Sequence, residues 1–317
     1  MKPVHLKIAT VLTVAMITVI SSSVRAGISV EQRVDSLFII ASSLDIKYRD
    51  QVEPARDSIA ALGATAVPRL IEMLGTPYGY ERVALEEIFK KIGAPATPLL
   101  NAALLTTDSL QLSRVALILS YLPDSSSVKN LLRVVDDKYY WVRYQTLRAL
   151  AQIGDKRAAS AVRRALKDDN ELVRTMAAVA AGRLKDKELL TDLVKTLDDP
   201  YYGVRMAAHE ELKNADCASK QALILASLTL PSTTIRKQLL GIIAEDTCGY
   251  DLSTVRLYLA DVDPVAQSLA LRAAYRIDSA FVIDYLSDRP DTSASFLLRQ
   301  TIEDLRTHHE AQTPANP

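Results

Sequence analysis

Six arginines are the most regular chemical feature of the chain. Arg143, Arg174, Arg205 and Arg236 each follow Val or Ile and are spaced by 31 residues. Stepping back gives Arg114 at 29 and Arg82 at a further 32; stepping forward by 31 reaches Gln267. A guanidinium offers a rigid fork of donors. A column of them has two uses: an anion-binding ladder, or ties to turn carbonyls and to Asp residues of the same or the next repeat. The structural use is the expectation, because acidic pairs precede the arginines at Asp136-Asp137, Asp168-Asp169 and Asp198-Asp199.

A second column is aromatic. Tyr78, Tyr139 and Tyr201 stand four residues before an arginine, Tyr140 and Tyr202 three before, and Tyr80 and Trp141 two before. These positions fall in turns, at one edge of any helical stack. Tyr and Trp join apolar area to a polar tip, which suits them to interfaces. Packing between neighbouring turns is the alternative use. Helical phase adds Tyr144, Arg148 and Met206 to Tyr139, Tyr140, Trp141, Tyr201 and Tyr202 as the candidate binding set, with Gln152, Thr175, Val179, Arg183, Glu210 and Asn214 on the same faces.

Other chemistry is sparse. Of the four histidines, His5 lies near the start and His308 and His309 near the end, leaving His209 alone in the body. No zinc-ligand spacing, Gly-x-Ser-x-Gly, glycine-rich phosphate loop or Cys–His pairing occurs, so no catalytic residue, metal or cofactor is assigned. Cys217 and Cys248 each stand 12 residues after an arginine, in the column that Asp155 and Asp186 occupy elsewhere. Two outcomes are open for them. Packed helices lie about 8–10 Å apart, too far for a disulfide, which needs Cα atoms at roughly 4.4–6.8 Å; convergence of the loops, which Gly249 permits, would allow it.

The elements behind these columns are helical. Val142, Leu147, Leu150 and Ile153 share one helical face, and Gly154 stops the helix, as Gly63 and Gly93 do earlier. A short second helix over 158–166 turns Ala161, Val162, Ala165 and Leu166 inward. Asp before a helix caps its free N–H groups. One such helix pair cannot bury its apolar faces alone, so pairs must stack, with a cap at each end. Helices over 30–47 (Val34, Leu37, Phe38, Ala41 and Leu44 in phase) and 292–307 read as those caps.

The pattern Val142-Arg143 through Ile153-Gly154-Asp155 resembles the short HEAT-like repeat of the phycobilisome-lyase type. Val173 to Asp186 and Val204 to Leu212 match it less fully, and 63–68 and 93–98 match its inter-repeat turn. The resemblance covers roughly residues 50–290. It implies an all-α solenoid of about seven helix pairs over residues 27–310. Residues 311–317 themselves read as a disordered tail. It also raises an enzymatic alternative, a bilin lyase-like or accessory activity, which a coloured purified protein would reveal.

Composition narrows the rest. Lys plus Arg and Asp plus Glu both number 38, with no basic stripe, which argues against nucleic acid. Residues 1–26 read as a signal peptide: Lys2, His5 and Lys7, an apolar run over 8–20, then Val24-Arg25-Ala26 with the cut after Ala26. An uncleaved anchor is the alternative, though 13 residues are few for a bilayer of ~30 Å. The expectation is a periplasmic or secreted protein without stable membrane insertion, colourless and non-enzymatic, holding a protein or peptide partner.

Overall fold

The computed structural model describes residues 27–105, 108–287 and 295–312. The expected leader, 1–26, lies outside them. Every regular element among the described residues is helical. The chain divides into two compact units, Met1–Ile153 and Gly154–Pro317, each built of stacked helix pairs in the manner of an α-solenoid.

The first unit contains α1 (Val30–Ala41), α2 (Val52–Ala60), α3 (Val67–Met73), α4 (Gly79–Ile92), α5 (Thr97–Ala103), α6 (Ser109–Tyr121), α7 (Val128–Val134) and α8 (Tyr140–Ile153). The longer helices α2, α4, α6 and α8 pack one on the next, while α3 and α5 form a second layer. Ser29 starts α1 with a capping box: its hydroxyl accepts the Gln32 backbone N–H at 3.2 Å and the Gln32 side-chain Oε1 accepts the Ser29 N–H at 3.1 Å. Val34, Leu37, Phe38 and Ala41 are buried, as their spacing requires. The cap helix does not run to residue 47. It stops at Ala41, and Leu44 is 80% exposed. Ser42 donates its hydroxyl to the Phe38 carbonyl at 2.8 Å, and Asp45 starts a separate 3-10 turn over Ile46–Tyr48; short polar side chains here compete with the helix for its backbone. Gly93 ends α4 at φ +69°, a conformation that costs a side-chain-bearing residue but not glycine.

The second unit contains α9 (Ala159–Ala165), α10 (Glu171–Arg183), α11 (Lys187–Thr196), α12 (Tyr202–Lys213), α13 (Cys217–Ser227), α14 (Thr233–Glu245), α15 (Ser253–Arg256), α16 (Pro264–Ile277), α17 (Ser279–Ser287) and α18 (Phe296–Gln312). Here α10, α12, α14, α16 and α18 pack in sequence, with α9, α11 and α13 behind them. Ala161, Val162, Ala165 and Leu166 are buried. Ala177, Ala178, Ala180 and Ala181 give α10 a low face on which α12 lies close; a Cβ at Gly182 would collide with the Glu211 side chain. The terminal helix begins at Phe296 and continues through Gln312, so residues 311 and 312 belong to it; 313–317 lie outside the described residues. No described helix is long and apolar enough to cross a membrane.

Candidate functional site

The arginine column belongs to the turns. In four repeats the guanidinium folds back onto carbonyls five or six residues earlier. Arg82 donates to Pro77 at 2.8 Å; Arg143 to Asp137 at 2.8 Å and Lys138 at 3.2 Å. In the second unit Arg174 donates to Asp168 at 2.8 Å and Asp169 at 3.3 Å, and Arg205 to Asp199 at 2.7 Å and Pro200 at 3.0 Å. Arg114 instead reaches the carbonyls of Leu74 and Thr76 in the preceding turn. Burial, and then Arg82 nearby, hold its guanidinium below the ordinary value.

Two arginines also tie one repeat to the next. Arg174 grips the Asp199 carboxylate with both edges of its fork, at 2.8 and 3.1 Å, and Arg236 reaches Asp261 at 3.0 Å. Each partner lies 25 residues ahead and also accepts a turn N–H, from Tyr201 and from Asp263. Bonds of this charged kind contribute about 1.5–3 kcal/mol each. The Asp column thus shapes the turn and receives the previous repeat's arginine.

The aromatic column has two fates. Trp141 and Tyr144 are half-buried and stack face to face, 4.8 Å between centroids and 3° between planes. Tyr201 leans on Gly203, where an added Cβ would stand 3.0 Å from its ring. These contacts consume part of each ring's area in the turn. Tyr139 and Tyr140 remain exposed on the first unit, in edge-to-face contact at 5.6 Å, and so do the stacked Tyr78 and Tyr80. On the second unit Tyr202 is 65% exposed, with Arg205 against one face of its ring at 5.6 Å. Arg148 is engaged elsewhere: it and Lys90 flank the Tyr121 ring at 5.4 and 4.3 Å, and the Tyr121 hydroxyl donates to Glu86 at 3.0 Å. Met206 is half-buried on α12.

On each unit the starts of the long helices hold residues that the aromatic count overlooks. Val83 and Leu110 on the first unit, and Leu172, Val265 and Phe296 on the second, are exposed near the starts of α4, α6, α10, α16 and α18. Each unit therefore presents apolar side chains where its long helices begin. A Leu or Val in a helical pattern reads as core, so sequence spacing alone hides this use. A separate apolar groove of about 380 Å³ runs between α11 and α13, lined by Leu190, Thr191, Ala218, Ala222, Leu223 and Ala226 among others.

Cys217 and Cys248 are bonded in a disulfide, with Cα atoms 5.5 Å apart. They do not occupy equivalent elements. Cys217 opens α13, whereas Cys248 sits in the loop between α14 and α15; that asymmetry brings them within reach. Beside them, Lys220 and Asp246 form an ion pair at 2.7 Å with side chains only 4% and 7% exposed. The Tyr250 hydroxyl donates to Asp246 at 2.8 Å. Burial opposes ionisation of Asp246, but the Lys220 ammonium, the Tyr250 hydroxyl and the Cys248 N–H together hold its carboxyl below the usual range. Burial and then Asp246 push the Tyr250 phenol up. Sequence reasoning missed this cluster, because a lysine in a helix is ordinarily solvated. No group of three or more His, Cys, Asp or Glu placed to hold a metal occurs among the described residues.

These features define a stack of helix pairs tied through its turns. A family model, HEAT repeats, matches residues 128–213. No curated protein matches the chain. Similar solved structures include an engineered protein, 16% identical, covering 91% of this chain and 91% of that one at a TM-score of 0.40. The complex of CpcE and CpcF of phycocyanin lyase from Nostoc sp. PCC7120 is 17% identical and covers 76% of this chain and 94% of that one, with a TM-score of 0.38. Human deoxyhypusine hydroxylase in complex with glycerol is 16% identical, with 80% and 99% coverage and a TM-score of 0.34.

Proposed function

We propose that this protein is an exported scaffold that holds a protein or peptide partner on the exposed turn edge of its helix stacks. The observation that carries the reading is the edge itself: Tyr78, Tyr80, Leu110, Tyr139 and Tyr140 on one unit, and Leu172, Tyr201 and Tyr202 on the other, leave large apolar surfaces in water. Aromatic side chains at such places dominate protein interfaces when a partner covers them. The mixed composition of the adjoining helix faces suits a protein surface better than a phosphate backbone. Export is supported by the apolar run over 8–20 with Val24-Arg25-Ala26 behind it, and by a disulfide, which persists in oxidising compartments. The periplasm or the extracellular space is the proposed location, and the surface is assigned no catalytic step.

A photo-crosslinking residue placed at Tyr140 or at Tyr202 in the intact cell tests the reading. It expects a discrete protein or peptide adduct at these positions and none at Ile39, which is exposed in the last turn of α1 rather than where a long helix begins. Equal adducts at all three, or none, overturn it. Mass analysis of the mature chain tests export separately, with Gly27 expected at its N-terminus.

A further inference from the structure

The disulfide joins an exposed cysteine to a buried one. Cys217 is exposed on the first turn of α13, while Cys248 is 8% exposed. The loop that carries Cys248 has anchors besides the bridge. Asp246 is clasped by Lys220 at 2.7 Å and Tyr250 at 2.8 Å, and it accepts the N–H groups of Thr247 and Cys248 at 2.7 and 3.2 Å. Arg276 from α16 donates to the Asp246 carbonyl at 2.5 Å, and Gln221 donates to the Gly249 carbonyl. Lys220 also donates to the Lys213 carbonyl at 2.7 Å, which fixes the ammonium between α12 and the loop. These anchors come from α12, α13 and α16, and none involves sulfur. Opening the bridge removes none of these anchors directly, and they act to keep the two cysteines near each other.

We infer that Cys217 and Cys248 form a reversible thiol–disulfide exchange site, with Cys217 the attacked sulfur and a dithiol oxidoreductase its co-substrate. Access sets the direction, since Cys248 is buried and Cys217 exposed. In reduction, a thiolate of the co-substrate attacks Cys217 Sγ. A mixed disulfide forms, the Cys217–Cys248 bond breaks, and its electron pair leaves on Cys248 Sγ, which takes a proton from water. The co-substrate's second thiol then attacks its own mixed-disulfide sulfur and releases Cys217. Two electrons and two protons pass to the pair, and the co-substrate ends as a disulfide. Closure is the reverse: Cys217 attacks the oxidised co-substrate, and Cys248 displaces it.

The test uses the full-length protein. A thioredoxin-type probe whose second cysteine is replaced by serine is mixed with the oxidised protein, and the trapped mixed disulfide is mapped by peptide mass. In parallel, the protein is reduced with dithiothreitol, followed by circular dichroism and pulsed with iodoacetamide. The expected result is an adduct on Cys217, a retained helical spectrum and alkylation of Cys217 at least ten-fold faster than Cys248. An adduct on Cys248, no adduct, loss of the helical signal on reduction, or alkylation of both thiols at one slow rate overturns the assignment.

Discussion

Two columns of side chains leave each repeated turn, and they meet opposite fates. In the turn before α12, Arg205 folds inward onto the carbonyls of Asp199 and Pro200, while Tyr202, three residues earlier, points a 65% exposed ring into water. The inward column is consumed by the fold: it satisfies carbonyls that no helix reaches and, at Arg174 and Arg236, ties successive repeats together. The outward column is only partly consumed, by Trp141 stacking on Tyr144 and Tyr201 leaning on Gly203. A turn can therefore be rigid on one side and still leave its other side for a partner.

The Arg205 turn has no such tie to the next repeat. Arg205 would find its Asp 25 residues ahead, but Leu230 stands there. At this junction between α12 and α14 other links occur instead: the Cys217–Cys248 bridge, the buried Lys220–Asp246 pair, Lys213 with Glu245 at 2.5 Å, and His209 with Gln238 at 2.7 Å. At this junction a covalent link and a buried charge pair stand in place of an arginine–aspartate link.

This contrast can be broken in order of expected effect. Lys220→Ala leaves Asp246 buried without its counter-charge and should cost about 3–5 kcal/mol in urea unfolding. Replacing both cysteines by serine removes a bridge across 31 residues, which should cost about 3–4 kcal/mol by loop closure; reductant should then have no further effect. Asp199→Ala strips the forked tie from Arg174 and one turn acceptor, about 2 kcal/mol. Leu230→Asp restores the missing partner for Arg205 and should return roughly 0.5–1 kcal/mol, read most clearly in the cysteine-free protein.

The smallest effect concerns Glu211, half-buried over Gly182. Burial raises its carboxyl, with Arg183 opposing and Glu210 adding to the shift. A folded-state value above the unfolded one means the native state is favoured while the carboxyl is protonated, and that advantage is lost as pH rises through the folded value. Glu211→Gln should therefore stabilise the protein at neutral pH, by roughly 0.5 kcal/mol or less after solvent screening, with the gain vanishing below pH 4.5, the ordinary glutamate value. Asp246 runs the other way. Its carboxyl is lowered, so its contribution is present above its ordinary 3.8 and fades as pH falls through the folded value.

Much of this was legible in the residues. The 31-residue beat located the long helices of both units, the arginines were expected to serve the turns, and Val142, Leu147 and Leu150 are fully buried as their phase required. What stayed hidden depends on distant partners. Lys220 is buried because Asp246, in the following repeat, meets it there. Equal columns also misled for the cysteines, since the same offset falls on a helix start at Cys217 and in a loop at Cys248. The end of α1 was misplaced because Leu44 keeps helical phase, while Ser42 and Asp45 draw the backbone into a different turn.

The central claim is that the outward column is spare to the fold. Thermal and urea unfolding of Tyr78→Ala/Tyr140→Ala/Tyr202→Ala measures this directly, without knowledge of the partner. The account predicts a change within about 0.5 kcal/mol per site and an unaltered helical spectrum. A loss of several kcal/mol would mean that these rings hold the turns together, and would contradict their assignment to a binding edge.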